Sequence, residues 1–304
     1  MRSFRSWVRR GSSGVVAVAL AAASWAAQAS SFYSFGPDGF GVGNVFTPLS
    51  PAGAGTTVGD GSVAFNGGLV YNGVDSAFYA IANDGLGAST LLHFSAASPA
   101  TTLGAAALGT GFRGGLALDT TASVLWAISS DVSGQSTLVR MGLDGSGQTA
   151  LGTLGYGFFG GLTYNADTHR LYAIAGDGLG VQRALKEIDV SGAAAVVTDL
   201  FELGDGSSDL GGGLAYDAAD DRFYALANDV MANSRLVSFG LGSAGVLSDV
   251  ATGLGQGYVN AGLALVPGGG TVPEPPVLAV LLLAAAWARQ RVARPRSATV
   301  PSPH

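Results

Sequence analysis

Short runs in which apolar and polar residues alternate recur along this chain, and two of them return together. The first reads "GGLVYN" from Gly67, "GGLALD" from Gly114, "GGLTYN" from Gly160 and "GGLAYD" from Gly212, with a worn copy, "AGLALV", from Ala261. Nine residues after each of the first four leucines a second string begins: "FYAIAND" at Phe78, "LWAISSD" at Leu125, "LYAIAGD" at Leu171 and "FYALAND" at Phe223. A fixed offset means one repeated unit, and the unit is 46 to 52 residues long.

Within a unit the apolar runs are short, rich in Leu, Val, Tyr and Ala, and bounded by Gly, Asp, Asn and Ser, which predicts strands joined by turns. The fourth copy resolves into four strands, near Gly213 to Tyr216, Arg222 to Ala227, Arg235 to Phe239 and Val246 to Ala251. A repeated four-stranded unit of this length predicts an all-β propeller blade, whereas the coils of a parallel β-helix are about half as long. "FYSFGPD" at Phe32 matches the second string with no Gly-Gly-Leu before it, and "AGLAL" at Ala261 matches the first with nothing after it. Each half completes the other. The expected fold is therefore a five-bladed β-propeller over residues 30–270, its last blade sewn from both termini so that no sheet is left open.

Composition agrees: the 48 glycines disfavour long helices. The chain has no cysteine, so neither disulfides nor Cys-based metal or redox chemistry is available to it. At the front, Arg2, Arg5, Arg9 and Arg10 precede the apolar stretch "GVVAVALAAASWAA", and Ala27-Gln28-Ala29 supplies a small-x-small cleavage pattern. Residues 1–29 read as a secretory signal peptide, the alternative being a first membrane helix. With the ends set aside, the body keeps 7 basic residues against 20 acids, a formal charge near −13. Such a surface repels nucleic acid.

The C-terminal segment 271–296 runs Val272-Pro273-Glu274-Pro275, then an apolar stretch from Val277 to Ala288, then Arg289, Arg291, Arg294 and Arg296; a polar tail, 297–304, follows. As a helix the apolar stretch spans about 18 Å, and the arginines would stay on the cytoplasmic side. In this order the three features resemble the PEP-CTERM sorting signal of Gram-negative bacteria that make exopolysaccharide. The resemblance implies a hydrophobic helix inserted transiently in the inner membrane and processed by an exosortase-type enzyme. It also implies a protein released or re-anchored at the cell surface. An ordinary C-terminal membrane anchor is the alternative.

Candidate binding positions come from the segments that link one blade to the next, "VGDGSVAFNGGL", "LGTGFRGGL", "LGYGFFGGL", "LGDGSSDLGGGL" and "LGQGYVNAGL". The position two before each Gly-Gly is apolar in every copy (Phe65, Phe112, Phe158, Leu210, Val259) and reads as packing. The next position varies: Asn66, Arg113, Phe159, Gly211, Asn260. Amide, guanidinium and aromatic groups at one mouth of the ring are what an asymmetric ligand could read, with Tyr258 and Tyr156 adding aromatic faces suited to sugars. The Asp that closes each second strand (Asp38, Asp84, Asp131, Asp177, Asp229) reads as an Asx turn rather than a ring of cation ligands. "DGSGQ" at Asp144 and "DGSSD" at Asp205 are fragments of a calcium loop, and the glutamate required eleven residues after Asp144 is replaced by Gly155.

Catalytic signatures are thin. His93 and His169 occupy non-equivalent positions in different repeats, and no nucleophile elbow, His-Glu-x-x-His pair or phosphate loop is present. No catalytic residue, metal site or cofactor is expected. The expected function is non-enzymatic binding of an extracellular matrix component, either exopolysaccharide or a matrix protein. A polysaccharide-acting hydrolase or lyase on the same ring and a structural matrix protein without a specific ligand are the alternatives.

Overall fold

A computed structural model describes residues 31–37, 44–50, 53–54, 64–83, 87–98, 102–176, 181–243, 245–259 and 261–267. The signal peptide, the Val272–Pro275 sorting motif with its apolar helix, Asn260, and Asp38, Asp84 and Asp177 lie outside the described residues.

Among the described residues there are five sheets, each of four antiparallel strands. One holds β1 (Ser31–Pro37), β2 (Asn44–Ser50) and β3 (Gly53–Ala54), with β20 (Gly262–Val266) at its inner edge. The second runs β4 (Ala64–Asn72), β5 (Ala77–Asn83), β6 (Ala88–Ser95), β7 (Thr102–Thr110), and the third β8 (Phe112–Asp119), β9 (Val124–Ser130), β10 (Gln135–Gly142), β11 (Thr149–Tyr156). The fourth runs β12 (Leu162–Asn165), β13 (Arg170–Gly176), β14 (Gln182–Asp189), β15 (Val196–Glu202), and the fifth β16 (Leu214–Asp217), β17 (Arg222–Asn228), β18 (Asn233–Phe239), β19 (Ser248–Gln256). Inner strands touch in the cyclic order β4, β8, β12, β16, β20 and back to β4. The body is a five-bladed β-propeller.

Its closure is the predicted one. β1 pairs antiparallel with β20 from Ser31↔Val266 to Phe35↔Gly262, so the two half-repeats form one blade. The fit there is specific: a Cβ added to Gly36 would sit 2.5 Å from the Cβ of Ala261, the residue that replaces the first glycine of the other copies.

Each second strand is covered on both sides, which explains why its string is almost wholly apolar. β5 is buried at every position: Tyr79 and Ile81 pack with Leu116 and Leu125 of the next blade, while Phe78 and Ala80 pack with Phe46 and Ala264 of the closing blade. Five such apolar clusters fill the five seams between blades. Burying both faces of a sheet removes far more apolar area than a one-sided sheet would, and it carries the fold without disulfides.

The Gly-Gly-Leu string has a steric cause. The second glycine of each copy (Gly68, Gly115, Gly161, Gly213, Gly262) lies against the leucine of the next copy (Leu116, Leu162, Leu214, Leu263, Leu69). A Cβ there would come within 2.6 Å of the neighbouring Leu Cβ at Gly68, Gly213 and Gly262. Only a residue without a side chain lets five inner strands close to this radius.

Two details depart from the sequence expectation. The strands β7, β11 and β19 run on into segments read as links, so β7 reaches Thr110 and only Gly111 separates it from β8. In the closing link an extra residue shifts the register. Tyr258 takes the place of Phe158, its carbonyl 3.4 Å from the Cβ position of Gly212 as that of Phe158 is 2.8 Å from Gly114, and Val259 is only half-buried.

Candidate functional site

The two mouths of the ring are built differently. At one, the strand-two to strand-three turns meet the links between blades. The turn from β9 to β10 is held by Asp131, whose Oδ1 accepts from Ser133 N (2.8 Å), Ser133 Oγ (2.7 Å) and Gln135 N (3.0 Å). Asp229 does the same for Met231 N and Asn233 N. These hydrogen bonds hold both carboxyls below the usual aspartate range, with Ser133 and Asn233 the largest causes. Both described members of the aspartate ring are thus turn-closing residues. Asp144 and Asp205 likewise accept from Ser146 and Ser207 two residues on, and among the described residues no three His, Asp or Glu side chains gather to hold a metal ion.

Arg113 and Phe159 sit at this mouth on successive blades. Arg113 is exposed because it belongs to a bulge: Arg113, Gly114 and Gly115 oppose the single Ile128, between the pairs Phe112↔Ser129 and Leu116↔Ala127. Its Nη2 reaches over the preceding blade, 3.8 Å from the Cβ position of Gly87. Phe159 follows the same course, its Cζ 4.0 Å from that of Gly134. Around that second turn three apolar side chains collect: Phe159 at 38% exposure, Tyr156 at 65% opposite Gln135, and Val132 fully exposed at the tip. Asn66 lies in the corresponding bulge of β4, between Phe65↔Ala82 and Leu69↔Ala80, and the orientation of its side chain is outside the description. Tyr258 is a core residue, 8% exposed among Phe32, Tyr224 and Leu263, and burial pushes its hydroxyl pKa up.

At the other mouth, hairpins join the inner strand to its neighbour in the four blades other than the closing one. Asn72, Asp119, Asn165 and Asp217 are buried and cap these hairpins, accepting from Val74 N, Thr121 N, Asp167 N and Ala219 N at 2.9–3.0 Å. The fourth turn residue is left-handed in each, with φ of 54° at Ser76, 54° at Ser123, 55° at His169 and 50° at Asp221. The hairpins surround an axial cavity of about 500 Å³ whose base includes Leu69, Leu214 and Leu263 of the glycine–leucine ring. Its wall is made of the two residues after each leucine, so Tyr71, Tyr164 and Tyr216 line it together with Leu118 and Leu265. Of the predicted ligand residues, Arg113, Phe159 and Tyr258 do not. Tyr164 donates to or accepts from His169 Nδ1 (3.0 Å), and Tyr216 donates to Asp221 Oδ1 (2.8 Å). Burial, then the charge of Asp119, pushes the Tyr164 pKa up to about 12; burial, then Asp221, does the same at Tyr216.

His93 lies stacked on Tyr79 (centroids 4.5 Å) with Asp75 at 3.7 Å, and His169 is in a different blade. The two histidines act separately, each with its own tyrosine.

No protein-family model matches the chain, and no curated protein matches it in sequence. Solved structures do match in fold. TolB from Acinetobacter baumannii superposes with a TM-score of 0.50 at 10% identity, over 78% of this chain and 57% of that one, so this chain spans little more than half of that neighbour's length. A putative TolB from Agrobacterium tumefaciens gives 0.47 at 14% identity, over 78% and 90%. A chain of a nidogen/laminin complex gives 0.45 at 14%, over 78% and 98%. At these identities the likeness is one of fold alone.

Proposed function

We propose that this chain is an exported, surface-sorted, non-enzymatic binding propeller that engages a polymer of the extracellular matrix through its inter-blade face. The observation that supports the reading best is the trio Val132, Tyr156 and Phe159, left exposed around a turn that Asp131 holds rigid, with Arg113 on the inner strand of the blade that carries this turn. Exposed aromatic rings on a rigid platform suit sugar rings of a long polymer, which lies across a face rather than entering a pocket, and a guanidinium fork adds directed donors. Of the remaining candidates, Tyr258 belongs to the core of another seam and takes no direct part in this reading. The signal-like front and the PEP-CTERM-like tail supply the route, through transient inner-membrane anchoring and an exosortase-type enzyme to the cell surface.

The test uses protein recovered from the medium of an expressing Gram-negative host. Intact mass should show loss of the segment containing residues 281–287. The recovered body, applied to a glycan array, should bind an exopolysaccharide fragment, and Arg113→Ala, Tyr156→Ala and Phe159→Ala together should weaken that binding by about thirtyfold, the roughly 2 kcal/mol expected for a lost anchor. Unaltered binding by the folded triple variant would move the site away from this face; retention of the tail in the released protein would remove the sorting argument.

A further inference from the structure

The hairpin-side cavity stands apart from the polymer face, on the opposite mouth of the ring, and its chemistry is one-sided. Among the described residues the polar side chains that line it are hydroxyls and one carboxylate, Tyr71, Tyr164, Tyr216, Thr120, Thr163 and Asp217, with no lysine or arginine, and His169 stands at the rim against Tyr164. The four hairpins around it, residues 72–76, 119–123, 165–169 and 217–221, carry six aspartates: Asp75, Asp119, Asp167, Asp217, Asp220 and Asp221. The two arginines that follow these hairpins are engaged farther from the axis. Arg170 pairs with Asp189 of β14, and Arg222 donates to Ser238 Oγ of β18 at 3.0 Å. Most of the wall is apolar, from Val70, Ala117, Ala215 and Ala264 down to the leucines at the base.

We propose that this funnel is a binding site for a small organic cation, an ammonium group carried on an apolar body. The apolar body would fill the leucine-floored base, where it leaves water. The ammonium would sit at the level of the tyrosines, where aromatic faces attract a cation and the surrounding carboxylates add a negative potential that low-dielectric walls strengthen. An anion of the same shape is repelled by that negative potential. A neutral isostere gains the apolar contact without the attraction. The volume, about 500 Å³, lies within the range of small-molecule sites.

Isothermal titration with benzylammonium, benzyl alcohol and benzoate tests this, at about 20 mM salt where charge attraction is least screened. Benzylammonium should bind at a single site, at least tenfold tighter than benzyl alcohol, and benzoate should give no heat. Two double variants then locate the site. Asp167→Asn with Asp221→Asn should weaken benzylammonium at least fivefold, since both carboxylates face the tyrosine rim. Asp131→Asn with Asp229→Asn makes the same change in net charge on the opposite face and should leave it unchanged. Equal loss in both variants would mean attraction to overall charge and would overturn the proposal. So would equal affinity for the ammonium and the alcohol, or no heat from benzylammonium up to about 10 mM.

Discussion

Gly213→Ala is the sharpest test of how the ring closes. The added methyl carbon would sit 2.6 Å from Leu263 Cβ and 2.7 Å from the Gly262 carbonyl carbon, with Leu263 N nearer still. Ordinary contact begins at 3.4 Å, so β16 and β20 would have to part by about 0.8 Å or more. The atoms in the way are backbone and Cβ, which have no rotamer to change. In a closed ring, widening one gap also strains the other four. Overpacking a well-filled interior costs roughly 1–3 kcal/mol, and here about 3 kcal/mol is expected. For a domain of this size that lowers the melting temperature by roughly 6–12 °C. Gly242→Ala is the control: it has nothing within 4 Å of the new methyl and should melt within about a degree of the parent. Differential scanning calorimetry of both, at one scan rate, decides the matter. If Gly213→Ala melts alongside Gly242→Ala, the inner strands are not in the contact described and the account of Gly-Gly-Leu fails.

At the closing blade, Gly36→Ala should destabilise by about 1–3 kcal/mol through its clash with Ala261, and Ala261→Gly added to it should restore part of the loss, the Ala261 Cα at 2.9 Å remaining in the way, a coupling read from a denaturant double-mutant cycle. Asp131, Asp144, Asp205 and Asp229 all have carboxyls held below the usual range by serine, asparagine and backbone donors. Because the folded values are the lower ones, the stability they add is present above the ordinary aspartate pKa and is lost as pH falls through the folded values. Melting temperature should therefore drop on acidification below about pH 4. Replacing all four by Asn, which keeps the acceptor Oδ1, should flatten that drop, and an unchanged acid limb would refute the assignment.

Much of the ring was legible because its causes are local or repeated. The offset between strings marks the blades, the split copy at Phe32 and Ala261 marks the seam, and the Asp that ends the second string marks the turn at Asp131. What escaped depends on residues far apart in sequence. The reason for Gly68 is Leu116, in the next blade, and no single repeat shows it. A one-residue insertion hid the equivalence of Tyr258 with Phe158, because a pattern counted back from Gly-Gly lands on Val259. The funnel escaped for the opposite reason. Its tyrosines, Tyr71, Tyr164 and Tyr216, stand in repeated strings, whereas the binding candidates lie at positions that vary. Tyrosine two residues after the leucine, in three of five copies, was the available signal: near an axis where strands converge, a residue can repeat and still face open space.

The seam between β1 and β20 also decides how the ring would yield under force. Ser31 and Val266 are direct partners at the same end of the blade. Tension applied through the two ends of the body therefore peels β20 from β1 one hydrogen bond at a time, instead of shearing all of them at once. The closing blade is a zipper with both pull-tabs on one side, weak against traction between its ends. A load taken up by one end alone does not draw the two tabs apart. A propeller of this design is best held by a single terminus, and a second tether would turn the shared blade into the place where it opens.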